Sequence, residues 1–405
     1  MPFKKHLTRK SVLALSIALI SVALLSFLMK GKEAYFMRTI PIETQSNLMF
    51  TTVTIKGKDY RFLIDTGAPF TLSKELAKEI DFKVRRVSNM GSVNSQRGKA
   101  YWGKLKKLEI GELTFSNVNT AVIDYNKVTL LKCFDFDGII GSNLMGAAAW
   151  QIDHDAKVIR ITNRVDSLPD IGKSQVLPMK KLSSIKKPGI QVKVNKGNTA
   201  FVLFDTGSGD FFDLPYASLL KSEREGVLDS RIKYVTARGL GNVGAFGAED
   251  TTGYMVKVPE FSVGKEKMEN VVFDMSHDDK AKLGVQYLKG RVVTFDFPGN
   301  RIFVAQKAKP HVPHDFSTFG FSIFPHQNKI TARPIYEGSM AQAAGLEIGD
   351  QIVSINGKEF QPDDLCNSLW SLVKALNKSD EASLKVIKSD GNQATVTVSK
   401  SYLLK

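Results

Sequence analysis

The chain has 405 residues, of which 43% are hydrophobic and 24% charged, so it can form two to four domains with large cores. Its net charge is +15, but the basic residues are spread along the chain without interleaved aromatic residues, which argues against nucleic-acid binding. Two cysteines, Cys133 and Cys366, exclude a disulfide framework and a four-cysteine zinc site. We expect them to lie in different domains as small packed hydrophobic residues, too far apart for a disulfide.

The amino-terminal segment predicts a membrane anchor. Residues 1–10 hold four basic side chains, whereas residues 11–29 are apolar and uncharged. A helix of this length spans about 28 Å, close to the thickness of the hydrocarbon core of a bilayer. The basic cluster should keep residues 1–10 in the cytoplasm and place the rest of the chain outside. A cleaved signal peptide is the alternative, and it would also export the protein.

Strand-like runs dominate residues 39–306. They are rich in Val, Ile, Phe and Thr and are separated by Gly, Asn, Asp and Pro, which predicts a mainly β fold of the sandwich or barrel kind. Two short helices are predicted, at 73–80 with Ser73 as its cap and at 215–220. The clearest strand predictions are 49–55, 61–64, 118–123, 158–162, 190–194, 201–204, 271–273, 292–295 and 301–304.

The same series of features occurs twice, about 140 residues apart. A hydrophobic strand runs into Asp-Thr-Gly at Asp65 and again at Asp205. Gly141 follows the first aspartate by 76 residues, and Gly284 follows the second by 79. Two strand-like runs around a turn come after each glycine. The pattern indicates a duplicated domain, with lobe one at 39–166 and lobe two at 185–306. The segments 165–184 and 305–315 are predicted to be linkers.

The paired Asp-Thr-Gly motifs, each supported by a later hydrophobic segment at 139–141 or 282–284, resemble a single-chain aspartic peptidase of the retropepsin and pepsin type. The resemblance implies two homologous β lobes with the active site between them. Asp65 and Asp205 would be catalytic, and no homodimer would be needed because both lie on one chain. The residues implied to support the catalytic loops are Thr66, Gly67, Thr206, Gly207 and Ser208.

The chemistry of peptide hydrolysis is consistent with two aspartates and no cofactor or metal. A base must activate water, and an acid must protonate the leaving amine. Two carboxylates about 3 Å apart cannot both ionise and therefore share one proton. We expect the Ser208 hydroxyl to donate to Asp205, which Ala68 cannot do for Asp65. Asp205 would then be the more acidic partner, with activity at mildly acidic or near-neutral pH.

Glycine-rich segments at 87–102 and 237–254 are candidates for the flaps that cover the substrate in this family. Ordinary surface loops are the alternative interpretation. Tyr101 is the candidate for the tyrosine that the pepsin flap carries.

Residues 316–400 resemble a PDZ domain of the bacterial type. The segment 338–357 matches the family's small-residue helix, its Gly-Asp step and its Asn-Gly turn, and 365–376 predicts a helix beside a groove. The resemblance implies that an extended peptide adds as a strand, with its carboxylate held by backbone N–H groups. A structural cap without a ligand is the alternative. The implied peptide-binding residues are Phe319, Gly320, Phe321, Ser322 and Ile323.

These features predict an aspartic endopeptidase with a single-pass anchor in the bacterial inner membrane and its domains in the periplasm or outside the cell. Its expected partners are polypeptide substrates, the membrane, and peptide or protein C-termini at the PDZ domain. The alternatives are a non-catalytic, membrane-anchored peptide-binding scaffold and a peptidase restricted to itself or to one partner. His311 and His314 have too few neighbouring ligands to predict a metal site.

Overall fold

The computed structural model describes residues 34–92, 96–225, 229–239, 242–248, 250–277 and 280–404. The predicted cytoplasmic segment at 1–10 and the predicted anchor at 11–29 lie outside the described residues. Within the described ranges, no helix is both long enough and apolar enough to cross a membrane.

Lobe one contains an eight-stranded sheet with the order β2-β3-β4-β9-β5-β8-β7-β6. Its helix α1 starts where predicted, because the Ser73 side chain accepts the Leu76 N–H at 3.0 Å. The elements are β1 (Met37–Pro41), β2 (Glu43–Gln45), β3 (Leu48–Ile55), β4 (Lys58–Asp65), β5 (Thr71–Ser73), α1 (Lys74–Glu79), β6 (Val84–Gly91), β7 (Arg97–Ile110), β8 (Leu113–Ile123), α2 (Thr129–Cys133), β9 (Gly138–Gly141), α3 (Ser142–Met145), β10 (Ala149–Asp153) and β11 (Val158–Thr162).

Lobe two repeats this arrangement, and it also uses part of the segment predicted to be a linker. The prediction for 165–184 is wrong at 175–182, where two short edge strands form. Strands of only three or four residues are too short to show an alternating pattern, and one of the two also ends in a proline. The elements are β12 (Gln175–Pro178), β13 (Lys180–Leu182), β14 (Lys187–Val194), β15 (Asn198–Phe204), β16 (Phe212–Pro215), α4 (Tyr216–Arg224), β17 (Lys233–Arg238), β18 (Val243–Gly244), β19 (Gly247–Ala248), β20 (Thr252–Val263), β21 (Glu266–Ser276), β22 (Lys282–Leu283), β23 (Arg291–Asp296) and β24 (Arg301–Gln306).

The duplication predicted from the sequence appears in the strand pairing. In lobe one, β4 runs parallel to β9 and β5 runs parallel to β8. In lobe two, β15 runs parallel to β22 and β16 runs parallel to β21. Each aspartate therefore leaves its sheet at the same point of the same local topology.

A six-stranded sheet joins the two lobes, in the order β1-β11-β10-β23-β24-β12. At its centre β10 of lobe one pairs antiparallel with β23 of lobe two, and Trp150 lies opposite Phe295. Both side chains are buried in a hydrophobic cluster that extends through both lobes. The lobes thus share a continuous core beneath the point where the aspartates meet.

The C-terminal domain (predicted at 316–400) contains the helix that the sequence predicts at 365–376. Its apolar face, including Leu369 and Leu372, is buried in the domain's own hydrophobic cluster. The elements are β25 (Phe316–Thr318), β26 (Phe321–His326), β27 (Lys329–Tyr336), α5 (Met340–Ala343), β28 (Gln351–Ile355), β29 (Lys358–Glu359), α6 (Leu365–Leu376), β30 (Glu381–Ile387), β31 (Gln393–Ser399) and β32 (Ser401–Leu404).

The C-terminal domain is attached to both lobes. Strand β27 pairs with β17, which continues the sheet of lobe two into this domain. On the other side, Cys133 of α2 and Cys366 of α6 form a disulfide, with Cα atoms 4.8 Å apart. The expectation of two separate packed cysteines is therefore wrong. Domain docking brings together residues that are 233 positions apart, and no local sequence pattern records that docking.

Candidate active site

Asp65 ends β4, and Asp205 follows β15, so both carboxylates emerge at the interface between the lobes. Each carboxylate accepts the N–H of the glycine two residues later. The distances are 2.6 Å from Gly67 to Asp65 and 3.0 Å from Gly207 to Asp205. Backbone donors within each loop therefore fix both carboxylates.

Glycine is required after each threonine because the opposite aspartate lies directly above it. A Cβ added to Gly67 would stand 2.5 Å from Oδ1 of Asp205, and one added to Gly207 would stand 2.5 Å from Oδ2 of Asp65. Both distances are far inside van der Waals contact. The two loops thus cross over each other, and the structure brings the two predicted catalytic residues together.

Thr66 and Thr206 tie the loops together across the interface. Oγ1 of Thr66 donates to the Phe204 carbonyl at 2.6 Å, and Oγ1 of Thr206 donates to the Ile64 carbonyl at 2.9 Å. Each hydroxyl also accepts the backbone N–H of the other threonine at 3.0 Å. The four hydrogen bonds are reciprocal between the lobes and form a closed network with approximate two-fold symmetry. Both threonine side chains are fully buried.

The glycine-containing segments predicted to support the loops lie beneath them. The Ser142 N–H donates to the Ala68 carbonyl at 3.0 Å, and the Val285 N–H donates to the Ser208 carbonyl at 2.9 Å. In lobe one, the Ser142 hydroxyl also donates to the Thr66 carbonyl, a bond that Val285 cannot make in lobe two. The backbone hydrogen bonds beneath the two loops are therefore equivalent, and the lobes differ only in the side-chain hydrogen bond of Ser142.

The surroundings of Asp65 favour its protonated form. Burial, and next the facing Asp205 carboxylate, raise the pKa of Asp65 well above its usual range. The predicted donation from the Ser208 hydroxyl to Asp205 is not among the hydrogen bonds of the described residues. The predicted difference in acidity between the two aspartates therefore stays a prediction.

Both aspartates open into a cavity of about 990 Å³ between the lobes. The lobe-one wall is apolar and aromatic, whereas the lobe-two wall carries charged and amide groups. The lobe-one wall includes Leu63, Trp102, Tyr125, Leu130, Leu131, Phe134, Phe136 and Ile139. The lobe-two wall includes Lys187, Leu203, Asp210, Asn242, Lys280 and Lys282. A cavity of this size suits a ligand of several residues.

Hairpins from both lobes meet over the cavity, at the two segments predicted to be flaps. Gln96, just before β7, donates through Nε2 to the Ala248 carbonyl at 3.3 Å. Phe246, between β18 and β19, packs against Gly98 so closely that a Cβ there would clash with its ring. Residues 93–95, 240–241 and 249 of these segments lie outside the described residues.

The prediction that Tyr101 is the flap residue facing the site is wrong. Successive residues of a strand point to opposite faces, and Tyr101 is 41% exposed on the outer face. Its neighbour Trp102 lines the cavity, with Nε1 donating to the Ser88 hydroxyl at 2.9 Å. Strand alternation would identify the correct face once one inward residue of β7 was known.

Buried charges in lobe two were missed by the sequence reasoning. Lys282 Nζ lies 3.2 Å from Asp213, and both side chains are buried. Burial raises the pKa of Asp210, and burial and neighbouring carboxylates raise the pKa of Asp274 well above its usual range. One sequence signal could have indicated these buried charges. The segment 282–284 begins with a lysine, whereas the equivalent segment of lobe one begins with an isoleucine.

The predicted peptide-binding residues of the C-terminal domain lie on one loop and on the start of β26. Phe319 and Phe321 are buried in the domain's hydrophobic cluster, and Ser322 is exposed. Gly320 has a φ of +91°, and its N–H donates to the Thr318 hydroxyl at 3.0 Å. One of the N–H groups expected to hold a peptide carboxylate therefore already has an internal acceptor.

The histidines set aside in the sequence have other partners. A ring nitrogen of His311 lies 3.2 Å from Oε1 of Gln286, and Nδ1 of His314 lies 2.9 Å from the Glu269 carbonyl oxygen. Among the residues that the structure describes, no group of three or more His, Cys, Asp or Glu side chains is arranged to hold a metal ion.

Two family models match the chain. The model described as aspartyl protease matches residues 51–144, which include Asp65 and Gly141, and a PDZ domain model matches residues 331–369. No curated protein matches the sequence. The chain is similar to the solved structure of basic 7S globulin from soybean, with 8% identity over 68% of this chain and 96% of that one, and a TM-score of 0.41.

Proposed function

We propose that this chain, in which an aspartyl protease domain is combined with a PDZ domain, is an aspartic endopeptidase that uses Asp65 and Asp205 as its catalytic pair. The observation that carries the proposal is the crossing of the two loops, in which each glycine lies directly beneath the opposite carboxylate. Two carboxyls so placed share one proton, which is the state that general acid–base hydrolysis of an amide requires.

In the proposed mechanism, Asp65 carries the shared proton, since burial and the facing Asp205 carboxylate raise its pKa. The Asp205 carboxylate accepts a proton from water as the water oxygen attacks the scissile carbonyl carbon. Asp65 donates its proton to the carbonyl oxygen, which gives a neutral tetrahedral intermediate. Asp205 then protonates the leaving nitrogen, Asp65 recovers the proton from a hydroxyl of the intermediate, and the C–N bond breaks. The pair ends in its starting state and titrates as a unit.

The proposed substrate is an extended polypeptide lying between the lobes. The apolar lobe-one wall, with Trp102 and Phe134, suits a large hydrophobic side chain. The hairpins above the cavity would exclude bulk water during the reaction. The function thus needs no cofactor, since both proton-transfer groups come from the chain itself.

We place the catalytic lobes outside the cytoplasm, on a chain anchored in the bacterial inner membrane by residues 11–29. The apolar stretch and the basic cluster before it support this placement. The disulfide between Cys133 and Cys366 adds independent support, because such bonds persist in oxidising compartments such as the periplasm. The proposal also assigns capture of peptide or protein C-termini to the PDZ domain.

The test is cleavage of a denatured protein between pH 4 and pH 8 by the full chain. Asp65→Asn and Asp205→Asn should each abolish cleavage, while Asp166→Asn, which alters an exposed aspartate, should retain it. Cleavage that survives both active-site substitutions would sink the mechanism. If the unaltered chain and all variants are folded but none of them cleaves the substrate, the peptide-binding scaffold would be favoured.

A further inference from the structure

The groove of the PDZ domain lies between β26 and α6. Strand β26 pairs with β27 along one edge, and among the described residues no strand pairs with its other edge. Helix α6 packs against β26. An extended peptide added to the sheet would lie along this edge and beneath the helix.

Helix α2 of lobe one packs against both elements that border this groove. Its Cα atoms come within 8 Å of those of both β26 and α6. Cys133 is only 3% exposed and belongs to the same hydrophobic cluster as Phe319 and Phe321, the predicted peptide-binding residues. Leu130 packs against that cluster as well. The groove of this domain therefore already contacts a segment of its own chain.

Three bonds or contacts hold α2 against α6. The first is the Cys133–Cys366 disulfide. The second is a hydrogen bond from Trp370 Nε1 to the Cys133 carbonyl at 2.6 Å. The third is the contact between the rings of Phe134 and Trp370, with centroids 4.9 Å apart. Because Cys366 and Trp370 are one helical turn apart, they face the lobe-one segment together.

The same segment also forms part of the cleft between the lobes. Leu130, Leu131 and Phe134 line the cavity that contains Asp65. The segment 129–134, which we call the wall segment, thus contacts the PDZ domain and also contributes to the apolar wall of the cleft. A five-residue helix has little stability of its own, so its position depends on what it packs against.

We propose that the PDZ groove is an internal docking surface for the wall segment, and that the Cys133–Cys366 disulfide controls whether the groove is open to other peptides. In the disulfide form the wall segment fills the groove and keeps the apolar wall of the cleft in place. Reduction leaves only the non-covalent contacts, so a peptide C-terminus can displace the segment and the wall loosens. The effect on cleavage rests on the proposed function, whereas groove opening does not.

The chemical step is a thiol–disulfide exchange with an external dithiol. One thiolate of the dithiol attacks a sulfur of the Cys133–Cys366 bond, which breaks and leaves a mixed disulfide. The second thiol of the dithiol then resolves this intermediate. Two electrons and two protons pass to the protein, giving two cysteine thiols, and the dithiol becomes a disulfide.

The first experiment measures hydrogen–deuterium exchange on the full chain, with and without dithiothreitol, in the Asp65→Asn background. Reduction should speed exchange at least ten-fold in the wall segment, in β26 and in α6, and leave β10 and β23 unchanged. The Cys133→Ser/Cys366→Ser variant should exchange fast under both conditions. Free thiols at both cysteines in protein purified without reductant, or exchange that reductant does not alter, would overturn the proposal.

The second experiment uses a pool of fluorescent decapeptides with a free, apolar C-terminal residue, and the same pool amidated at the C-terminus as control. The Asp65→Asn background again prevents cleavage. The free-carboxylate pool should bind at least ten-fold more tightly after reduction, and the amidated pool should not change. Equal binding before and after reduction would contradict internal occupation of the groove.

The third experiment separates this proposal from the proposed function. In the otherwise unaltered chain, dithiothreitol should change kcat/KM at least three-fold for a peptide with a large apolar residue at its cleavage site. The double serine variant should not respond. If no form cleaves any peptide while exchange and binding respond to reduction, the peptidase function fails and the internal docking stands. If cleavage occurs while exchange and binding ignore reduction, the docking proposal fails.

Discussion

Ile139 of lobe one and Lys282 of lobe two occupy equivalent places behind the two Asp-Thr-Gly loops. Ile139 on β9 lies opposite Thr71 of β5, and Lys282 on β22 lies opposite Asp213 of β16, in the same antiparallel register. In each lobe the next strand of the sheet runs parallel and places a third residue in the same row. In lobe one this residue is Ala121 of β8, and in lobe two it is an aspartate of β21.

This comparison distinguishes the features that the proposed hydrolysis requires in both lobes from the features that can differ between the lobes. The aspartate, threonine and glycine of each loop, with their cross-lobe hydrogen bonds, agree in both lobes because the two carboxylates must meet in one geometry. The row of residues behind them is uncharged in lobe one and charged in lobe two. Burying charges costs free energy, so the lobe-two arrangement is not a neutral variation of lobe one.

The largest effect should come from the shared part, through Gly67→Ala and Gly207→Ala. Each added methyl group meets the opposite carboxylate at 2.5 Å, so the aspartates must move apart. We expect kcat/KM to fall at least about 100-fold, or about 2.7 kcal/mol, for both variants. Gly172→Ala, at a glycine with open space around it, is the control. A large loss of kcat/KM in only one of the two glycine variants would show that the two loops are not equivalent.

The difference between the residues behind the two loops should appear in the free energy of unfolding. Lys282→Met leaves the buried Asp213 carboxylate without its ammonium partner, and we expect a loss of about 3 kcal/mol. Ile139→Met exchanges one apolar side chain for another and should cost less than about 1.5 kcal/mol. Urea unfolding of both variants measures the difference. Equal costs would mean that the charge at position 282 does not matter for folding.

The threonine network should give equal, smaller effects in the two lobes. Thr66→Val leaves the buried Phe204 carbonyl and the Thr206 N–H without partners, and Thr206→Val does the same to Ile64 and Thr66. Each substitution should lower the free energy of unfolding by about 2 kcal/mol. Thr52→Val, at an exposed strand position, should change it by less than about 0.5 kcal/mol. Unequal losses at the two buried sites would contradict a symmetric interface.

The smallest effect should be a shift of the pH profile in Lys187→Met. Lys187 lowers the pKa of Asp65 by favouring its charged form, although burial and Asp205 outweigh it. Activity requires the proton on Asp65, so it falls as pH rises through that pKa. Removing the cation raises the pKa, and the alkaline limb of kcat/KM should move to higher pH with the plateau unchanged. A limb that moves to lower pH would reverse the assigned sign.

The raised pKa of Asp65 also links stability to pH. The folded chain holds this proton more tightly than the unfolded chain does, so this contribution to stability is complete below the ordinary aspartate pKa of about 3.9. It is lost as pH rises through the folded pKa. Asp65→Asn should therefore remove this part of the pH dependence of unfolding.

Features encoded in local patterns could be predicted from the sequence. The two Asp-Thr-Gly loops follow strands and recur at matched distances, and their resemblance to aspartic peptidases predicts that Asp65 and Asp205 meet. Helix α6 has the same bounds in the structure as in the sequence pattern, because its apolar period and its Asp364 cap are local. The Ser73 cap was equally readable.

Features that depend on docking between distant segments could not be predicted. Cys133 and Cys366 meet because α2 lies against α6, and neither segment contains a signal for the other. The strands β12 and β13 exist only because longer strands offer them an edge. The choice of Tyr101 over Trp102 failed for a different reason, since composition identifies the hairpin but not which of its faces points inward.

The central claim is one catalytic centre in each chain, built from both lobes. Calorimetric titration of the full chain with a statine-containing peptide, which mimics the tetrahedral intermediate, tests it most directly. The account predicts one inhibitor bound per chain, and binding at least about 100-fold weaker in both Asp65→Asn and Asp205→Asn. One inhibitor per two chains, or affinity unaffected by either substitution, would contradict it.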